Sequence, residues 1–386
     1  MANKRILICA DNFFERVRGG GARSAWEIAL ELGSRGYDVS FLIRGTAEEQ
    51  DSEERSGIKI YRHKNRVLSV FRFLRVIGPE ELSAVNFQDP YSSFLVLLYL
   101  ILKRVKTPRI YTFQSPWPVE YAIRAKKKKL SLPRIFFGVQ LRRELEKFVL
   151  KNSDKVTVAS DFMRKELLRL HSLEADILPL GVNLKRFTPP AEGEALPEGL
   201  KAAGGGKMFF TLRNLEPRMG LENLLGAVKI LSDRGHEKLS FIIGGVGSLE
   251  TELKETAGKL NIADMVSFPG YIPDGELRLY YGASDAFILP TRELEGFGLV
   301  TLEAMACGCP VLATPVGANP EVAGVCPGNV IFKSGKAEDI AEGIEEFIKT
   351  HPEINKRERE RCRRYAEDNY SWKTYADGFE GIFEKL

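Results

Sequence analysis

Four histidines and five cysteines are all that 386 residues hold of the side chains most often used to bind metals. Cys307 and Cys309 stand as C-x-C, yet no second pair or nearby histidine completes a zinc set. The cysteine spacing outlines no disulfide framework, so the thiols are read as buried and reduced and the compartment as cytoplasmic. Long apolar runs are lacking too. The longest, "SSFLVLLYLIL" from Ser92 to Leu102, falls short of the roughly 20 residues that span a bilayer, and it reads as a buried helix. "RILICA" near the start ends at Asp11, too soon for the apolar part of a secretory leader. A net charge of +4 is too small to call for nucleic acid, and no platform of stacking aromatics accompanies it. The expectation is a soluble protein, or one peripheral to a membrane.

What is present is alternation. Arg5–Ala10, Asp38–Ile43, Arg109–Phe113 and Lys155–Ala159 read as strands buried on both faces, as do Met208–Leu212, Leu239–Gly244, Ala286–Leu289 and Val311–Thr314. Between them lie helical patterns such as Ala22–Arg35, Leu221–Arg234, Leu249–Leu260 and Ala337–Thr350. Strand–helix alternation repeated twice predicts two parallel-sheet α/β units, with ligands at the carboxyl ends of the strands. The Pro- and Gly-rich stretch Arg186–Lys207 marks a seam. Trp372, Tyr375, Phe379 and Phe383 recur at helical spacing and give the last helix an apolar face to bury.

The stretch "ELEGFGLVTLEAMACGCPV", Glu293 to Val311, holds two carboxylates eight residues apart around a Gly-Phe-Gly turn. A strand ending at Pro290 leads through that turn into a helix starting near Leu299, whose free N–H groups suit a diphosphate. At about 1.5 Å per residue, Glu303 lies roughly 7 Å beyond Gly298 along the axis. Carboxylates beside a phosphate need something else to face, and sugar hydroxyls, which donate hydrogen bonds, meet that need. On spacing alone a plainer account stays open, with Glu303 merely favouring a helix start and Glu295 solvated.

The run "ELEGFGLVTLEAMACGCPVLATPVGANPEV" resembles the E-x7-E signature of the GT4-like retaining glycosyltransferases, with Glu295 and Glu303 at the matching positions. "RGGGARSAWEIALELGSRGYDV", "ILPLGVNLKRFTP" and "VSFPGYIPDGELRLYYGASDAFILPT" are similar to further family segments in the same order, so the likeness spans nearly the whole chain. The resemblance implies the GT-B fold, α/β with two Rossmann-like doubly wound domains facing a central cleft. Residues 1–185 would bind the acceptor and 186–366 the sugar nucleotide, and 367–386 would form a helix packing back on the N-terminal domain. The implied reaction moves a hexosyl group from a UDP- or GDP-linked sugar to a saccharide or lipid-linked acceptor, with the nucleotide sugar as substrate and no cofactor. Carried over by position, Glu303 binds the ribose, and Glu295 faces the transferred sugar with the backbone of Gly296, Phe297, Gly298 and Leu299. Gly20 and Gly21 approach the diphosphate, Arg213 neutralises it, and Ile272 lies in a run that lines the donor site.

Two departures stand out. Met219 occupies the position of a family lysine, and Arg218 is the candidate substitute. Gln114 stands where many members place a histidine, and Gln88 near another, so no histidine base acts there; glutamine holds a hydroxyl but cannot take its proton. No Asp-x-Asp occurs, so a metal-bridged diphosphate is not indicated. "FIIGGVGSLETEL" echoes a dinucleotide fingerprint, but Glu250 replaces the third glycine, and the loop with Gly245 reads better as nucleotide-facing. Tyr121–Lys151 is strongly basic with interleaved apolar residues; it fits either peripheral contact with an anionic membrane or a solvated helix face. The alternatives to transfer are a non-catalytic sugar-nucleotide binder and an epimerase or hydrolase on the same fold.

Overall fold

The computed structural model describes residues 4–14, 19–46, 48–64, 67–191, 193–197, 200 and 206–386. Two compact units are formed, Met1–Leu180 with Trp372–Leu386, and Gly181–Ser371. The chain therefore divides at 180/181 and 371/372, where the sequence reading put 185/186 and 366/367. The Pro-rich seam belongs inside the second unit. Its Glu194 carboxylate accepts from Arg278 Nη1 at 2.9 Å, and Pro190 packs on Gly282.

In the first unit the order is β1 (Arg5–Ala10), α1 (Gly20–Ser34), β2 (Asp38–Arg44), β3 (Ser52–Arg55), β4 (Ile58–His63), α2 (Val67–Ile77), β5 (Leu82–Phe87) and α3 (Pro90–Lys103). There follow β6 (Arg109–Phe113), α4 (Trp117–Lys127), α5 (Leu132–Lys151), β7 (Lys155–Val158), α6 (Asp161–His171) and β8 (Asp176–Ile177). The sheet runs β3-β4-β2-β1-β5-β6-β7-β8, parallel apart from the β3–β4 pair. That hairpin and β5 escaped the sequence reading. β3 is the charged run "SEER" on a sheet edge, so no apolar period announces it, and it is joined to β4 by Ser56–Gly57 at φ 52 and 77. Strands β1 and β2 are apolar because they lie between helical layers, and Leu7, Phe41 and Val85 are fully buried.

The second unit contains β9 (Met208–Leu212), α7 (Leu221–Asp233), β10 (Ser240–Gly244), α8 (Glu250–Lys259), β11 (Val266–Gly270), α9 (Leu277–Ala283) and β12 (Ala286–Leu289). It continues with α10 (Leu299–Ala306), β13 (Val311–Ala313), α11 (Asn319–Val322), β14 (Val330–Ile331), α12 (Ala337–Thr350) and α13 (Lys356–Asn369). Its parallel sheet is ordered β11-β10-β9-β12-β13-β14. The chain thus reverses direction across the sheet between β9 and β12, the point at which open α/β sheets bind ligands.

The last helix, α14 (Trp372–Phe383), belongs to the first unit and packs on α1. Trp372, Tyr375, Phe379 and Phe383 are all buried, as their spacing predicted. Arg35 at the end of α1 clamps it through Asp377 (2.8 Å), Glu380 (2.7 Å) and the carbonyl of Lys373 (2.7 Å). The apolar run 92–102 lies within α3, and among the described residues no helix is long and apolar enough to cross a membrane. All five cysteines are buried and free.

Candidate functional site

The carboxyl ends of β9 and β12 bring together residues 82 apart in sequence. Arg213 Nη2 donates to Glu295 Oε2 at 2.7 Å, and Thr291 Oγ1 donates to the same oxygen at 2.9 Å. Both residues are less than a tenth exposed. The Arg213 guanidinium also lies against Met219, with Nε and Nη2 at 3.2 and 2.8 Å from Sδ. The methionine in the family's lysine position is therefore a soft, uncharged wall for Arg213. Glu295 Oε1 and Arg213 Nη1 have no partner among the described residues, so one acceptor and one donor remain for a ligand.

Gly298 caps α10 at φ 86 and ψ 64, a conformation costly for any residue with a Cβ, and so turns the chain sharply into the helix. The first-turn amides of Leu299 and Val300 then lie at the positive end of the helix dipole. Phe297 offers its backbone alone, because its buried ring packs edge-on against Tyr370 at 5.8 Å. Glu303, one turn into α10, is 4% exposed and accepts from Tyr281 Oη at 2.9 Å. Arg218 is engaged with the loop before Glu295. Its Nη1 donates to Leu294 O at 3.1 Å, and its own carbonyl accepts from Arg292 N at 2.9 Å. The candidate substitute for the lysine thus supports the loop that carries Glu295.

The loop after β10 lies along the residues that follow β9. Arg213 N donates to Gly244 O (3.1 Å) and Leu215 N to Val246 O (3.0 Å). Gly245 sits at φ 115, and a Cβ there would fall 1.9 Å from the Arg213 carbonyl oxygen. Ile272 is buried against Gly244. Both residues shape the backbone around Arg213.

The first unit has its own reversal point, between β1 and β5. Gly20 and Gly21 open α1, and a Cβ on Gly21 would lie 2.3 Å from Gln114 Oε1, so only glycine lets the helix start come this close. Gln114 Nε2 donates to Gln88 Oε1, and Gln88 Nε2 donates to Asn86 Oδ1. Asn86 Nδ2 donates to Thr112 Oγ1 at 3.0 Å, which also accepts from Thr157 Oγ1 at 3.2 Å. Ser24 Oγ donates to Gln114 Oε1 at 3.3 Å. Gln114, at the position of a family histidine, therefore bonds to Gln88, in a neutral chain across three strand ends. Sequence reasoning missed Tyr281, Thr291, Ser24 and Asn86, whose side chains orient the expected residues. Hydroxyl and amide residues in ordinary helix, strand and loop runs carry no local signal of such a role.

Residues 18–186 match the family model described as Glycosyltransferase Family 4, and residues 194–369 the model described as Glycosyl transferases group 1. The chain is 27% identical over 373 residues to the GDP-mannose-dependent alpha-(1-6)-phosphatidylinositol monomannoside mannosyltransferase of Mycolicibacterium smegmatis, covering 92% of this chain and 93% of that one. It is 26% identical over 328 residues to the alpha-monoglucosyldiacylglycerol synthase of Streptococcus pneumoniae, covering 80% and 70%. Its fold matches sucrose-phosphate synthase from Thermosynechococcus elongatus with a TM-score of 0.80 over 99% of both chains, at 20% identity. With both halves matched and the fold shared, the chain belongs to the GT4-type glycosyltransferases and has the GT-B fold.

Proposed function

We propose that the chain transfers a hexosyl group, with retention of anomeric configuration, from a UDP- or GDP-linked sugar to a hydroxyl of a saccharide or lipid-linked acceptor. The buried Arg213–Glu295 pair beside the start of α10 carries this reading. Arg213 and the α10 amides stabilise the charge that develops on the diphosphate as its bond to the anomeric carbon breaks. The acceptor oxygen forms the new bond on the same face, and its proton passes to the departing phosphate oxygen. Glu303, oriented by Tyr281, accepts from the ribose hydroxyls, and Glu295 accepts from the donor sugar through its unused Oε1. Gln114, held by Gln88, binds a hydroxyl and leaves the proton to the phosphate. The scheme uses no metal and no cofactor.

A lipid-linked acceptor is supported by two relatives, one named for a phosphatidylinositol monomannoside and the other for a glucosyldiacylglycerol that it makes. It is also supported by α5, which exposes Leu132 (81%), Phe136 (58%), Phe137 (71%) and Leu141 (61%) near exposed Lys128 and Lys129. We assign this face to the anionic cytoplasmic surface of a membrane, where apolar burial and lysine charge add. Replacing Phe136 and Phe137 by serine should abolish flotation with anionic vesicles; unchanged flotation would remove the assignment.

The donor reading is tested by thermal shift with UDP, GDP, ADP, CMP and their common sugar conjugates. A ligand at about 100 times its Kd adds roughly 2.7 kcal/mol, a shift of several degrees. One base is expected to stand out. A flat response across the panel would sink the donor site, and a product of inverted configuration would sink the retaining mechanism.

A further inference from the structure

The first unit contains a cavity of about 460 Å³, lined among others by Asp11, Arg44, Trp117, Tyr121 and Arg142. That volume suits one phosphorylated sugar or polyol rather than a whole lipid. Its positive charge is only partly matched. Arg124 Nη2 pairs with Glu120 Oε2 at 2.6 Å, whereas no described carboxylate lies within ion-pair distance of Arg44 or Arg142.

Arg142 is held in place without an acid. Its guanidinium stacks 3.6 Å from the Tyr121 ring centroid and 5.1 Å from that of Trp117, and Nη1 donates to Gly138 O at 3.0 Å. Gly138 makes the stack possible, since a Cβ there would come 2.4 Å from Tyr121 Cε1. Burial, followed by the charge of Arg124, holds Arg142 below the usual guanidinium range, the effect expected of a cation kept from water without a counter-ion. Arg44 ends β2, and its charge acts on the buried acids Asp11 and Asp89. Asp11 is fixed by Ser92, whose N and Oγ donate to Oδ1 at 2.7 and 2.5 Å. Planar donor forks match a phosphate, and a fixed carboxylate oxygen matches a hydroxyl beside it.

We infer that this cavity is an acceptor pocket for a phosphate-bearing sugar or polyol, with Arg142 and Arg44 on the phosphate and Asp11 on a hydroxyl. The inference rests on the transferase reading above. It makes the acceptor anionic, either as a free phosphate ester or as the phosphodiester headgroup of a lipid.

Isothermal titration of the full chain with glycerol 3-phosphate and glucose 6-phosphate, against glycerol, glucose and glucuronate, tests the soluble source. Binding to phosphatidylglycerol vesicles, against phosphatidylcholine, tests the lipid source. Arg142→Gln and Arg44→Gln are compared with Arg142→Lys, which retains the charge and loses the fork, and each variant's melting and nucleotide binding are measured alongside. Binding of a phosphate ester that weakens at least tenfold in both glutamine variants, and less in the lysine variant, supports the pocket with a free acceptor. Binding confined to phosphatidylglycerol and weakened by the same variants supports it with a lipid headgroup. Equal affinity for glucuronate, indifference to the variants, or no binding of either source while a nucleotide still binds would overturn it. Loss of nucleotide binding alone, with phosphate-ester binding intact, would instead overturn the transferase reading and leave the pocket standing.

Discussion

At the reversal point of the second unit the strand ends are joined by a buried ion pair, Arg213 on Glu295 at 2.7 Å, with a second buried carboxylate, Glu303, close behind in sequence. At the reversal point of the first unit the corresponding place is taken by amides and hydroxyls, Ser24, Gln114, Gln88, Asn86 and Thr112, which carry no charge. A buried ion pair is a poor way to gain stability, because removing both charges from water costs about as much as their attraction returns. Its retention in the second unit fits a site where charge must be in place before a diphosphate leaves. The neutral chain orients a hydroxyl equally well but neither stabilises an anion nor takes a proton. On this reading the departing diphosphate meets an ion pair in the second unit, and a sugar hydroxyl meets neutral amides in the first.

Breaking the ion pair should have the largest effect. Arg213→Ala is expected to lower kcat about 10²- to 10³-fold, and to destabilise the protein by about 3–5 kcal/mol because Glu295 is left buried without its cation. Steady-state kinetics and urea unfolding check the two effects, and near-normal turnover would remove Arg213 from the chemistry. Glu303→Ala comes next. Loss of charge-assisted hydrogen bonds worth about 1.5–3 kcal/mol predicts nucleotide binding some ten- to hundredfold weaker with the fold intact. Unchanged affinity by calorimetry would show that Glu303 does not hold the ribose.

Gln114→His sharpens the contrast by placing a titratable group in the neutral chain. Folding is expected to be retained and turnover to be equal or higher, with a new inflection in kcat near the usual histidine pKa of about 6.5. A collapse of activity at every pH would show that the glutamine pair has a role histidine cannot fill. The smallest effect concerns the buried acids beside the neutral chain. Asp89 is pushed up to about 7, first by burial and then by the charge of Asp11. Unfolded, it titrates near 4, so between about pH 4 and 7 the native state binds a proton that the unfolded chain lacks. Stability from this group is therefore lost as pH rises through 7. Asp89→Asn should be more stable than wild type by about 1–2 kcal/mol above pH 8, a margin that shrinks as pH falls through 7. A margin constant from pH 5 to 9 in urea unfolding would contradict it.

Much of the scaffold was legible because its signals are local. Apolar runs such as "RILICA" and "AFILPT", set between helical periods, read directly as buried parallel strands, and the apolar stripe of the final helix read as packing. The charged edge strand Ser52–Arg55 was invisible for the converse reason, since it buries little and so repeats nothing apolar. The seam was misplaced because Pro and Gly mark any loop, and this one packs on α9 within the second unit. At the site, Glu295, Glu303, Gly298 and Arg213 were named from spacing and resemblance. Tyr281 and the bond between Gln88 and Gln114 were not, because each is a contact between separate elements, and Thr291 was not, because a loop threonine repeats no pattern.

By itself the sequence determined two α/β units, the helix start after Gly298 and the eight-residue spacing of its glutamates, all consequences of backbone sterics and of periods of two and 3.6 residues. Tertiary structure alone decided that Arg213 meets Glu295 across 82 residues, that Gln114 bonds to Gln88, and that Arg142 stacks without an acid. Those partnerships follow from strand order and helix crossing, which bring together side chains whose neighbours along the chain say nothing about each other.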